Sequence, residues 1–116
     1  MAIRIIKYPI SRAELQRIAD ERFGDLVKGV VDLRQKLLAL GPELHADAET
    51  ELMEKEGSLR ADVWGINLYP AERGDAFVEF DSMINLKPGL GNRSRSVDSQ
   101  QTRADIITLV NELVES

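Results

Sequence analysis

The chain has no cysteine and a single histidine in 116 residues. Disulfides, thiolate metal sites and cysteine nucleophiles are therefore excluded, and a zinc site would need three carboxylates beside His45. No metal and no cofactor is expected. The missing thiols fit a reducing compartment, so a cytoplasmic protein is the expectation. Aromatics make up 5% of the residues, too few for the interleaved aromatic and basic surface that grips single-stranded nucleic acid. Trp64 falls on the apolar side of its segment and reads as core. Lys and Arg number 15 against 20 Asp and Glu, and the net charge of −5 argues against an extensive nucleic-acid surface. No apolar run approaches the roughly 20 residues of a membrane helix. Arg4 and Lys7 interrupt the first apolar stretch, so neither a membrane span nor a secretory leader is expected.

What is present is the composition of one globular domain over residues 1–116, with 43% hydrophobic and 30% charged residues. Ile3 to Tyr8 is short and β-branched ahead of Pro9, which reads as a strand. Ser11 followed by Glu14 is a capping box, and it predicts a helix from residue 12 with Leu15, Ile18, Ala19 and Phe23 on one face. Leu26, Val30, Leu33, Leu37 and Leu40 recur at alternating spacings of four and three, which predicts a second helix up to Gly41-Pro42. Residues 12–40 then form one bent helix or two, divided at Gly24. A third, acidic helix opens with Asp47 as its cap and closes at Gly57. Asp62 to Tyr69 and Ala76 to Lys87 alternate apolar and polar residues, which predicts a β-hairpin with a longish loop. Asp98 to Gln101 reads as a capping box that opens a last helix to about residue 115.

Strand, two to three helices, hairpin and C-terminal helix predict an α+β fold: a small, at least partly antiparallel sheet with helices packed on one face. The other face is left to the polar side of the hairpin. Besides Trp64 and Tyr69, which could stack a base or sugar but read better as core packing, three groups of residues could carry chemistry. Residues 87–97 hold Lys87, Arg93 and Arg95 with no acid, between two acidic stretches. Glycines that let main-chain amides approach a ligand, forked arginine donors and a following helix suit phosphate or carboxylate, with Lys87, Asn92, Arg93, Ser94 and Arg95 as the binding residues. The spacing is neither that of a Walker loop nor that of a dinucleotide fingerprint. The alternative is a solvated connector whose arginines pair with Glu79 or Asp81.

The polar hairpin face offers Asn67, Tyr69, Glu79, Asp81 and Asn85. Its two carboxylates, two residues apart on one strand, could share a proton or hold a cation, or simply keep a wet sheet face soluble. His45 next to Asp47 could be a general base oriented by an acid, or a histidine in a helix-opening turn. No serine lies in a nucleophile elbow.

Three functions follow from these features. The leading one is a binding module for a small phosphate- or carboxylate-bearing ligand at the 87–95 loop. The second is a nuclease- or phosphotransfer-like enzyme using His45 with Arg93 and Arg95. The third is a structural or regulatory homo-oligomer that buries an open sheet edge.

Glu43 to Asp47, Trp64 to Pro70, Glu79 to Asn85 and Gly91 to Ser94, together with Ile3 to Lys7 and Pro9 to Arg12, resemble a small prokaryotic family catalogued as a domain of unknown function. The resemblance spans essentially the whole chain. It implies an intracellular prokaryotic protein and carries no activity, substrate or catalytic residue.

Overall fold

The computed structural model describes residues 3–116. β1 (Arg4–Ile6) leads through α1 (Arg12–Asp20) to β2 (Val27–Asp32), which turns directly into β3 (Leu37–Leu40). α2 (His45–Glu56) then crosses to β4 (Val63–Leu68), and a loop returns through the two-residue β5 (Val78–Glu79). Two single 3-10 turns, Met83–Asn85 and Pro88–Leu90, precede α3 (Gln100–Leu113). The sheet order is β1-β3-β2-β4-β5, and every neighbouring pair is antiparallel. The α+β class, the antiparallel sheet and the C-terminal helix are as expected from the sequence.

The expected helix over 26–40 is instead the β2–β3 hairpin. Both strands are central and buried on both faces, so they show no period-two alternation, and their leucines and valines fall by chance on helical spacings. The turn between them has no glycine or proline. Lys36 takes a left-handed conformation there (φ 59°). Asp32, fully buried, closes the turn by accepting from the Gln35 amide at 3.0 Å, the Gln35 side chain at 2.9 Å and Ser58 Oγ at 2.6 Å. Burial raises the Asp32 carboxyl pKa, but these hydrogen bonds outweigh it and the net shift is downward. A depressed carboxyl pKa contributes stability above the unfolded value near 4 and loses it as the pH falls through the folded one. Asp32→Asn should therefore cost about 2 kcal/mol at pH 7 and less at pH 3. Urea melts at the two pH values check this, and coincident curves at pH 7 would refute it.

Helices cover both faces of the sheet. α1 and α3 pack Leu15, Ile18, Ile106, Leu109, Val110 and Leu113 on Val27, Val31, Leu38, Leu40, Trp64, Ile66 and Leu68. α2 packs Ala48 and Leu52 on Val30, Leu37, Ala39 and Val63 of the opposite face, with Ile84 beside them. The expectation of helices on a single face holds for α1 and α3 but not for α2. Topology supplies the reason. β1 and β2 are parallel across β3, and β3 and β4 are parallel across β2, but the two pairs run in opposite directions. Crossovers of one hand that move the same way across the sheet then land on opposite faces.

Several helix boundaries also differ. Ser11 caps α1 as expected, its Oγ accepting from the Glu14 amide, but the Glu14 carboxylate turns to Arg4 and Arg17. α2 starts at His45 behind Leu44, which offers no side-chain cap, so Asp47 lies inside the first turn. α3 is capped by Ser99, and Asp98 points elsewhere. The long second hairpin strand reduces to β5, paired only through Asn67–Glu79 and Leu68–Val78.

Candidate functional site

Where β5 stops, the Ser82–Asn85 segment folds over the open flank of β4. Gly65 permits this, because a Cβ there would stand 2.5 Å from Ser82 Cβ. Asn85 takes the place of the missing strand. Its Oδ1 accepts from the Gly65 amide at 2.8 Å, and its Nδ2 donates to the Gly65 carbonyl at 2.9 Å and the Arg95 carbonyl at 3.0 Å. Asn85 is thus a main-chain mimic rather than part of a wet surface.

The basic loop is organised from within. Asn92, 5% exposed, donates to the carbonyls of Asn85, Ser94 and Ser96 and accepts from the Asp98 amide. Lys87, equally buried, donates to the carbonyls of Arg60 and Val63 and lies 3.9 Å over the Trp64 ring. Ser94 and the Arg93 amide both bond to the Asp98 carboxylate. Of the five residues expected to bind an anion, Lys87 and Asn92 face inward. Arg93 and Arg95 present guanidinium groups outward, and Arg95 pairs with Asp81 at 2.8 Å with both side chains about half exposed.

A cleft of about 440 Å³ opens beside Arg95. Its floor is the α2-bearing face of the sheet, where Lys28 of β2 stands opposite Asn67 of β4. Leu44, His45 and Ala46 at the start of α2 form one wall, and Asp81 to Ile84 with Arg95 form the other. His45, Asn67, Asp81 and Arg95, far apart in the chain, therefore share one site. Lys28 joins them, a residue that nothing in the local pattern singles out. Arg93 and Asp47 do not line the cleft.

His45 is 9% exposed, and Nε2 lies 2.9 Å from the Ile66 carbonyl. A carbonyl only accepts, so Nε2 carries the proton, and Nδ1 of the neutral ring keeps its lone pair. Burial pushes the His45 pKa down, aided by Lys28 and opposed by the Ile66 carbonyl and Asp81. The ring is neutral at pH 7. Asn67 is 7% exposed; its Nδ2 donates to Glu79 at 2.9 Å, but its Oδ1 is buried without a partner.

Glu79 also accepts from Tyr69 at 3.0 Å, and burial and this carboxylate raise the Tyr69 pKa. With Glu79 bonded to Asn67 and Tyr69, and Asp81 to Arg95, neither carboxylate of the polar face is spare. Among the described residues no group of three or more His, Asp or Glu is placed to hold a metal ion, and no helix is long and apolar enough to cross a membrane.

A family model described as a protein of unknown function matches residues 4–113. The chain belongs to DUF5674. No curated protein and no solved structure matches it. The functional reading of this DUF5674 member therefore rests on the cleft itself. A smaller cleft of about 260 Å³ between the β2–β3 turn and α3 sets Lys36 against Asp105 and Glu112 and has no orphaned buried polar atom.

Proposed function

We propose that this DUF5674 protein is a binding module for a small anion that also carries a hydroxyl or N–H donor, held in the cleft between α2 and the Asp81–Ile84 segment. The observation behind this reading is Asn67. A buried carbonyl without a donor costs about 1–3 kcal/mol, and Asn67 Oδ1 lines a cleft in which His45 Nδ1 is a second acceptor. Two acceptors in one cleft call for a donor on the ligand. Lys28 and Arg95 supply positive charge, and the first-turn amides of α2, which no side chain caps, add to it. Leu44 and Met83, 55% and 63% exposed at the rim, offer contact to a short carbon skeleton.

Hydroxy-bearing anions paired with their deoxy analogues test this: lactate with propionate, malate with succinate, glycerol phosphate with propyl phosphate. Thermal shift and calorimetry should show one hydroxy member bound at least about tenfold tighter than its analogue, because a site built around a hydroxyl rejects the ligand lacking it. Asn67→Leu should erase the difference. Arg95→Gln should weaken both members about tenfold. A flat panel, or a preference that survives Asn67→Leu, overturns the reading.

A second reading is an enzyme that uses His45 as a base. Its support is the geometry of the ring, whose Nε2–H is pinned by Ile66 while Nδ1 is left with a lone pair. That reading predicts turnover of a phosphoester or similar substrate with a pH limb that disappears in His45→Asn. A binding module shows ligand affinity without turnover.

A further inference from the structure

The opposite face of the sheet carries a second cleft, of about 640 Å³, between the β5 end of the sheet and α3. Three arginines line it: Arg12 from α1, Arg73 from the loop before β5, and Arg103 from α3. Among the described residues none of the three lies within ion-pair distance of a carboxylate, although seven other cations of the chain do. Asp75 is the acidic side chain lining the cleft.

Arg12 and Arg73 are drawn together by the same two acceptors. Arg12 donates to the carbonyls of Pro70 at 3.2 Å and Glu72 at 3.1 Å, and Arg73 donates to the same pair at 3.3 and 3.2 Å. Burial, and then the charge of Arg73, lower the pKa of Arg12. Arg12 Nε is buried with no partner, while its guanidinium lies 3.9 Å over the Phe77 ring. Arg103 spends its Nε on the Val97 carbonyl at 2.6 Å, which leaves its terminal nitrogens free, and its guanidinium stands 5.7 Å from the Phe80 ring. Two guanidinium groups held side by side, and a third across the cleft, have no carboxylate within ion-pair distance and keep forked donors to spare.

We propose that this cleft is a second ligand site, specific for a phosphorylated small molecule: the phosphate is clamped by Arg12, Arg73 and Arg103, and the body of the ligand rests on Phe80. Three guanidinium forks match the three terminal oxygens of a phosphate monoester better than the two oxygens of a carboxylate. The volume falls in the range of small-molecule sites, roughly 300–1,000 Å³. The site uses other residues and another face than the α2 cleft, and it stands whether or not that cleft binds an anion.

Inorganic pyrophosphate is the probe, followed by calorimetry and by amide chemical shifts. The wild type should bind it with shifts at residues 73–80 and 103–107, and at least ten times more tightly than acetate. Arg73→Gln with Arg103→Gln should weaken binding tenfold or more without changing the melting temperature by more than a few degrees, since neither side chain is buried. Arg12→Lys should also weaken it, because a lysine keeps the charge but loses the fork. Arg34→Gln, at the β2–β3 turn and outside both clefts, should change nothing. No binding at 10 mM pyrophosphate overturns the proposal, as does equal affinity in the double variant. Loss of affinity in Arg34→Gln as large as that in the double variant also overturns it, since general charge attraction then explains the binding.

Discussion

Gly65→Ala should lower the stability of this protein by about 4 kcal/mol and its melting temperature by about 15 °C. Glycine is required here for space, not for an unusual backbone. A Cβ on Gly65 would stand 2.5 Å from both Cβ and Oγ of Ser82 and 3.1 Å from Cγ1 of Ile84. The Ser82–Asn85 turn must lift, and lifting it breaks both bonds between Asn85 and the Gly65 main chain. The adjacent strand supplies a control. Gly29→Ala places its Cβ 3.2 Å from Leu40 Cδ2 and 3.4 Å from Leu38 Cδ1, which are ends of flexible side chains, and should cost about 1 kcal/mol or less. Ser82→Gly removes the two nearest of the three atoms that the new methyl meets at Gly65, so the double variant should recover more than half of the loss. Equal melting points for the two alanine variants, or no recovery in the double variant, would show that the turn does not depend on this contact.

The same contact explains why a strand-like pattern does not form a strand in the second half of the hairpin. Val78, Phe80, Ile84 and Leu86 alternate like a strand, but only Val78 and Glu79 pair with β4. Beyond them the Asn85 side chain does the pairing, and a side-chain amide leaves no trace in a hydrophobic pattern. The β2–β3 hairpin departs from its helix-like pattern for a different reason. A strand covered on both faces reads as a continuous apolar run, and two such strands joined by Leu-Arg-Gln-Lys carry no turn signal. Asp32, Gln35 and Ser58 supply the turn, and the third of these is far away in the chain. Features that rest on neighbouring residues, such as the Ser11 cap and the Gly57 stop of α2, were readable from the sequence alone.

Site residues divide along the same line. His45, Asn67, Asp81 and Arg95 were visible as residue types, yet only the fold brings them to one cleft. Lys28 was hidden because it lies in a segment with helical spacing. The arginine trio was hidden because its members come from three elements and none belongs to a charge run. Lys87 shows the converse: a cation in a basic, glycine-bearing loop looked like a ligand for an anion, and its ammonium is instead turned onto main-chain carbonyls.

That buried ammonium makes stability depend on alkaline pH. Burial, and then the neighbouring charge of Arg60, lower the Lys87 pKa to about 8, against Glu49 and Asp62, which raise it. In the unfolded chain the value is near 10.4. The native state therefore disfavours the charged form. The full penalty applies below pH 8 and fades as the pH rises from 8 towards 10.4, where both states are neutral. Between pH 8 and 9.5 the unfolded chain binds the extra proton, so stability should rise with pH, at a slope approaching 1.4 kcal/mol per unit and by about 2 kcal/mol in all. Tyr69, with its pKa raised, and Lys55, also raised, act in the opposite sense only at higher pH, so the window stays below them.

Lys87→Met keeps the aliphatic stem on Trp64 and removes the titrating group, so its stability should be flat across the same window. Trp64 is the single tryptophan, and Lys87 lies over its ring. The native fluorescence of the wild type should therefore change with a midpoint near pH 8, and that of the variant should not. Urea melts at pH 7.5, 8.5 and 9.5 read the stability, and the fluorescence titration assigns it. Parallel stability profiles for the two proteins, or a tryptophan signal that titrates in both, would place the proton elsewhere and leave Lys87 charged throughout, held by the Arg60 and Val63 carbonyls.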